Sequence, residues 1–265
     1  DAFQVLRKGE RLPEGYIFVP MHIVFAVKHD GRHKARYVMN GAHTNPPEHD
    51  VFSPVVGIDT IRLLLFIAIH NNLEVRMADV TCAYLQATTK EKIYSRAGIE
   101  WGPELEGCVL LLLKSVYGLK TSGARWYERL CEVLLSLGFL PCRAGVSIWM
   151  KLNEKGTYDF IAIYVDDLFV AAIDAGTIIV SIRVLFNLKG EGFPTYYLGG
   201  NIEREHVDYT DSGVTFLFSA KTFIDNFTKK VQELKGHFRH YSSPMDHDYR
   251  PELDDTSLLV GEEIG

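Results

Sequence analysis

Phe160-Ile161-Ala162-Ile163-Tyr164-Val165-Asp166-Asp167-Leu168-Phe169-Val170-Ala171-Ala172 sets two adjacent carboxylates at the tip of an apolar run. Short β-branched and aromatic stretches around the two-residue polar tip Asp166-Asp167 predict a tight hairpin. Carboxylates held side by side repel one another unless a cation relieves them. Magnesium does this where oxygen ligands meet substrate phosphates. Aspartate is also a common turn residue, so the string alone is equally readable as a plain polar turn.

Composition sets the outer limits. With 265 residues, 47% hydrophobic and 23% charged, the chain has enough material for one sizeable core or two lobes and is not globally disordered. Apolar stretches such as Leu63–Ile69 and Val109–Leu113 fall far short of a bilayer span, so no membrane partner is expected. No basic segment followed by an apolar one opens the chain, which argues against secretion. Cys82, Cys108, Cys131 and Cys142 have no C-x-x-C spacing and read as reduced, mostly buried thiols of the cytosol or nucleus. The net charge of −6 is unevenly placed. Residues 244–265 hold seven of the 34 acidic residues and one of the 28 basic ones, leaving a neutral body with 27 of each. Within that body, basic residues gather at Arg32-His33-Lys34-Arg36, at Lys114, Lys120 and Arg125, and at Lys221, Lys229, Lys230, Lys235 and Arg239. Such clusters bind phosphates locally, although solvated charge is the commoner explanation of any one of them.

Working outward from the hairpin, the pattern mixes helices and strands without regular βαβ alternation, which predicts an α+β fold. The first fifteen residues show no periodicity. Ile23–Val27 and Ala35–Val38 read as strands joined through His29-Asp30-Gly31. Asp59 is placed to cap a wholly buried helix running to about Asn71. Leu73–Val80 and Cys108–Leu113 read as strands, the second too apolar to be exposed. Thr121 or Ser122 caps a helix carrying Trp126, Leu130, Leu134 and Leu137, with Gly138 as its stop. Two strands lead to the hairpin, and Asp174 caps a helix to about Asn187. Tyr196–Glu203 and Val214–Phe218 read as strands, and Ser219 caps a last helix to about Leu234. Beyond Gly236 the text is polar and acidic, and the chain ends without a stop signal, as a piece of a longer protein would.

Two-metal phosphoryl transfer needs more carboxylate than one hairpin tip supplies, because ions about 4 Å apart must both be held. Asp79, ending the apolar strand Leu73–Ala78, is the best candidate for a bridging ligand; in isolation it is an aspartate that closes a strand. Its context adds to that. Asp79-Val80-Thr81-Cys82-Ala83-Tyr84-Leu85 and the Asp-Asp hairpin resemble the first and third palm motifs of reverse transcriptases. Leu113-Lys114-Ser115-Val116-Tyr117-Gly118-Leu119-Lys120, followed by Ala124-Arg125-Trp126, resembles the second motif of copia-type LTR retrotransposons. Lys34-Ala35-Arg36 with Val38, Phe52-Ser53-Pro54-Val55-Val56, Ile61-Arg62, Glu91-Lys92-Ile93-Tyr94 and Tyr197-Leu198-Gly199 match in the family's order. The resemblance spans about residues 17 to 260.

The resemblance implies an RNA-directed DNA polymerase with a right-hand architecture: fingers in 1–56 and 86–120, palm in 57–85 and 121–203, the start of a thumb in 204–240, and an acidic, loop-rich tail in 241–265. It implies that Asp79, Asp166 and Asp167 are the catalytic carboxylates. With the Val80 carbonyl they would hold two magnesium ions, manganese being a substitute. Lys34, Arg36, Cys82, Ala83, Tyr84, Tyr117, Gly118 and Lys120 fall at the deoxynucleotide site. Tyr84 matches the aromatic gate that leaves no space for a 2′-hydroxyl, and Gly118 lets the backbone approach the nucleotide closely. Tyr164, Val165, the hairpin Tyr197-Leu198-Gly199, and Lys221, Lys229 and Lys230 would meet primer or template. Each has a plain structural reading as well, Tyr84 as a core aromatic and the lysines as a solvated face. Implied partners are an RNA template, a DNA or tRNA primer, deoxynucleotides, and the integrase and RNase H parts of the same polyprotein, in a cytoplasmic virus-like particle and the nucleus. One departure stands out: where the family carries Asp-Pro before the strand preceding the hairpin, this chain reads Ala144-Gly145-Val146-Ser147-Ile148-Trp149. That leaves open a decayed, catalytically weak or inactive nucleic-acid-binding relic. A metal-dependent phosphodiesterase using the same carboxylates is a third reading, although no His or Glu stands near either motif to activate water.

Overall fold

Burial decides which of these segments become strands. The computed structural model describes residues 1–7, 9–27, 31–47, 51–206 and 213–236. They fall in two units, 1–219 and 220–265, each considered by itself. In chain order the first unit runs β1 (Phe3–Leu6), β2 (Ile17–Phe18), β3 (Met21–Val27), β4 (His33–Met39), α1 (Ile58–His70), β5 (Glu74–Val80), β6 (Ile93–Arg96) and β7 (Val109–Leu112). It continues through α2 (Ser122–Ser136), β8 (Leu140–Cys142), β9 (Gly145–Leu152), β10 (Tyr158–Tyr164), β11 (Asp167–Ala172), α3 (Ala175–Arg183), β12 (Leu188–Gly192), β13 (Tyr196–Tyr197), β14 (Gly200–His206) and β15 (Val214–Ser219). The second unit contributes α4 (Lys221–Lys235).

An antiparallel six-stranded sheet in the order β12-β5-β11-β10-β9-β8 forms the centre. Both faces of β11 are covered, which is why its sequence is continuously apolar. Leu168, Val170 and Ala172 face a core shared with Trp126, Leu130 and Leu134 of α2 and Ile179 and Ile182 of α3. Phe169 and Ala171 face Ile61, Leu64, Leu65 and Ala68 of α1, together with Tyr197 and Ile202. Each large apolar side chain so buried contributes roughly 1.5–3 kcal/mol. A three-stranded sheet β13-β14-β15 adjoins α1, and a four-stranded sheet β1-β7-β6-β2 and the β3–β4 hairpin complete the unit. Val19, Met39, Ile93, Leu112 and Val116 make the core of that latter region.

Several expectations change. The hairpin turn is Val165-Asp166, with Val165 left-handed at φ 55°; Asp167 already pairs with Tyr164 as the first residue of β11. α1 starts after Gly57 without a side-chain cap, Asp59 lies in its first turn, and Leu63 and Phe66 are exposed because only one face meets the sheet. Thr121 precedes α2 without capping it: its hydroxyl donates to Glu91 Oε2 at 2.6 Å instead. α3 is capped by Asp174, which accepts from Thr177 N at 2.8 Å, but it stops at Arg183. The chain must turn there so that Phe186 can pack edge-on to Trp126 at 5.1 Å. Tyr196–Glu203 is two strands, because Leu198 (φ 48°) and Gly199 (φ 82°) form a two-residue hairpin turn. Strands β1, β2, β6 and β12 have no counterpart in the sequence reading. α4 begins after Ala220 rather than at a serine cap. The four cysteines are free, yet none is fully buried. The turn at His29-Asp30 and the tail beyond Gly236 lie outside the described residues. Among the described residues, no helix is long and apolar enough to cross a membrane.

Candidate active site

A single row of side chains crosses four strands. Lys189 of β12 stands opposite Asp79 of β5, Asp79 opposite Asp167 of β11, and Asp167 opposite Tyr164 of β10. Residues directly opposite in an antiparallel pair share a face, with Cβ atoms about 5 Å apart. The register therefore brings together the two carboxylates that the sequence keeps far apart. Asp166 joins them from the turn, and its backbone carbonyl accepts from Val80 N at 2.7 Å.

The tip is braced from both sides of the sheet. On the α2 face, Trp126 donates its indole N–H to the Val165 carbonyl at 2.6 Å. On the other face, the buried Tyr197 hydroxyl makes a long 3.4 Å bond to the Asp167 carbonyl and its ring packs 5.5 Å from Phe169. These contacts fix a left-handed Val165, a conformation that a β-branched residue rarely adopts.

Repulsion and burial leave their mark on titration. Asp167 is pushed up to about 6, first by burial and then by Asp166 and Asp79, with Lys189 opposing. Asp166 is raised too, chiefly by burial with help from Asp79, against Lys189 and Lys34. Lys189 Nζ lies 2.8 Å from Asp79 Oδ1, a buried atom with no other donor among the described residues, and this contact raises the lysine pKa. The three carboxylates meet at one end of the sheet without closing on one point: among the described residues, no group of three or more His, Cys, Asp or Glu side chains is already gathered to hold an ion. As a donor set they are all oxygen, which suits magnesium, and their mutual repulsion is what a divalent ion relieves.

Asp79 and Asp166 open into a cavity of about 890 Å³, whose wall also includes Lys34, Arg36, Cys82, Tyr117, Trp101 and Lys189. The Arg36 guanidinium lies 4.7 Å from the Tyr117 ring centroid, and Tyr117 lies 5.0 Å from Tyr84. Burial, then Tyr117 and Asp166, raise the Tyr84 pKa, so that hydroxyl stays protonated beside the carboxylates. Cys82 is left-handed at φ 53° and exposed, turning the chain sharply after Asp79.

A family model described as reverse transcriptase (RNA-dependent DNA polymerase) matches residues 8–232. This chain belongs to the reverse transcriptase family. It is 31% identical over 207 residues to the retrovirus-related Pol polyprotein from transposon TNT 1-94 of Nicotiana tabacum, covering 73% of this chain and 15% of that protein. It is 32% identical over 218 residues to the transposon Ty1-GR3 Gag-Pol polyprotein of Saccharomyces cerevisiae, covering 80% of this chain and 12% of the relative. These relatives make it a copia-type reverse transcriptase domain. The family's activity is that of an RNA-directed DNA polymerase, a nucleotidyltransferase.

Within this reverse transcriptase domain the sequence-derived residues divide. Asp79, Asp166, Lys34, Arg36, Cys82 and Tyr117 share the cavity, and Asp167 joins through the strand register. Ala83 is buried in the core and Lys120 is exposed away from the cavity wall. Gly118 also has a role inside the fold. At φ 92°, a Cβ there would sit 2.0 Å from the Met39 carbonyl, so the close approach it permits is to the end of β4. Tyr164 is 38% exposed beside the tip, and Leu198 and Gly199 make the β13–β14 turn. Lys221, Lys229 and Lys230 are exposed on α4 in the second unit. Lys189 and Trp101 were missed. A lone lysine in Leu188-Lys189-Gly190-Glu191-Gly192 reads as loop, and only the pairing of β12 with β5 reveals it.

Proposed function

We propose that this domain extends a primer 3′-hydroxyl with deoxynucleotides on an RNA or DNA template by two-metal phosphoryl transfer, within a polyprotein that also carries integrase and RNase H. The observation that carries the reading is the pairing of Asp79 with Asp167 beside Asp166. In this reading the six-stranded sheet is the palm, residues 1–56 and 86–120 are the fingers, and 204–240 begin the thumb. Asp79, Asp166, Asp167 and the Val80 carbonyl would hold magnesium, which when bound activates the attacking hydroxyl and stabilises the leaving pyrophosphate.

The chain's own residues do the rest. Lys34 and Arg36 bind the triphosphate, with Arg36 oriented by its stack on Tyr117. Tyr84, backed by Tyr117, fills the space under the sugar and excludes a 2′-hydroxyl. Trp126 and Tyr197 hold the carboxylate tip from opposite faces, so that it is positioned before substrate arrives. Lys189 neutralises Asp79 until a metal ion does so. The Tyr197-Leu198-Gly199 turn holds the primer end, and the lysines of α4 meet duplex backbone. A cytoplasmic particle and the nucleus are the compartments this implies.

Primer extension on poly(rA)–oligo(dT) with magnesium tests the reading. Wild type should extend, and Asp166→Asn should lose extension while keeping duplex binding; full activity in that variant overturns the assignment. Binding without extension by wild type would identify the inactive relic, and primer shortening the phosphodiesterase.

A further inference from the structure

Arg125 lies in the first turn of α2, and its side chain is only 5% exposed. Nη2 pairs with Glu128 Oε1 at 2.7 Å, whereas Nε and Nη1 are buried and have no hydrogen-bond partner among the described residues. A guanidinium never deprotonates, so buried unmet donors on it are costly and call for an occupant. The side chain forms part of the wall of a cavity of about 230 Å³ that shares no lining residue with the catalytic cavity. Lys90, Lys92, Thr121, Asn45 and Glu91 also line it.

Charge narrows the choice of occupant. Among the described residues, Glu91 is the one acidic group in the wall, and it is engaged as acceptor of the Thr121 hydroxyl at 2.6 Å. Three cations therefore face one carboxylate. Glu128, which pairs with both Lys90 (3.2 Å) and Arg125, lowers the excess without cancelling it. The start of α2, which has no side-chain cap and no acidic residue in its first turn, meets the Glu91 carboxylate at Thr121, so its positive end offsets part of that one negative charge. The volume far exceeds the ~15 Å³ that a single water needs. A group larger than water, tetrahedral, rich in acceptors and carrying one to two negative charges fits these demands.

We propose that this cavity is a phosphate-binding site, separate from the catalytic centre, in which Arg125 supplies the buried donors and Lys90 and Lys92 the flanking charge. The phosphate belongs either to a nucleic-acid backbone or to a free phosphate compound, and one experiment separates these sources. The full chain labelled with ¹⁵N-arginine gives an Nε–Hε resonance for Arg125, assigned by its loss in Arg125→Lys. Inorganic phosphate should shift that resonance saturably, and Lys90→Ala/Lys92→Ala should weaken the apparent affinity at least five-fold. If the source is a backbone, a primer–template duplex shifts the same resonance, and the double variant loses about one to two from the salt slope of duplex binding. If the source is a free phosphate, the duplex leaves the resonance in place while inorganic phosphate moves it. A resonance unmoved by either probe overturns the proposal. So does a folded double variant that binds inorganic phosphate as tightly as wild type, a result that stands even if Arg125→Lys does not fold.

Discussion

Trp126 is the residue on which the geometry of the acidic tip turns. Its indole nitrogen is the donor to the Val165 carbonyl, so Trp126→Phe should leave that acceptor unmet at a cost of about 1–3 kcal/mol. Because the carboxylates ride on the same turn, single-nucleotide incorporation should slow roughly 10–100-fold with nucleotide KM little changed; an unchanged rate would deny Trp126 a positioning role. Titration gives a second prediction. Asp167, raised to about 6, and Asp166, also raised, hold protons more tightly in the native than in the unfolded protein. Their contribution is thus most favourable below the ordinary carboxylate range and is lost as pH climbs to about 6. Metal-free protein should melt at a lower temperature at pH 7 than at pH 5, and Asp167→Asn should flatten that slope. Asp174, lowered by its hydrogen bonds to Thr177, works in the opposite sense only at more acidic pH.

At the level of elements, the β4 end and the turn at Gly118 interlock. A Cβ on Gly118 would meet Met39 O at 2.0 Å, and one on Gly41 would meet Gly118 O at 2.2 Å. Gly118→Ala should therefore cost more than the roughly 1–3 kcal/mol of its left-handed backbone alone, as measured by urea denaturation. It should also disturb Tyr117, whose carbonyl accepts from Met39 N. Legibility varied by element for physical reasons. β10, β11 and α2 were readable because deep burial forces long apolar runs and helical spacing upon them. β1, β2, β6 and β12 were not, since each is two to five residues long and held by neighbours distant in sequence. The site divided in the same way: aspartates could be matched to motifs, but Lys189 and the bracing role of Tyr197 exist only through pairing.

For the whole molecule, cation binding and stability are linked. An ion that binds the native carboxylates and not the unfolded chain stabilises by about 2.7 kcal/mol at a hundred times its dissociation constant. Magnesium should raise the melting temperature of wild type and leave Asp79→Asn nearly unmoved; equal shifts in both would place the ion elsewhere. Duplex affinity should fall steeply with salt despite the net charge of −6, because the excess of acidic over basic residues lies in 244–265 and the basic clusters of the neutral body act locally. A flat salt response would count against those clusters as contacts.

β12 carries one further consequence. It is the outermost strand beside β5, and its pairing slips between Lys189 and Gly192, where Gly190 and Gly192 both take positive φ. A short, glycine-broken ribbon with a lysine and a glutamate offers a poor template for a neighbouring chain. Without it, the straight flank of β5 would lie open to lateral stacking, next to a carboxylate stripped of its counter-ion. Smoothing that ribbon with Gly190→Val and Gly192→Val should therefore promote fibrillar self-association, a hazard that its present irregularity suppresses.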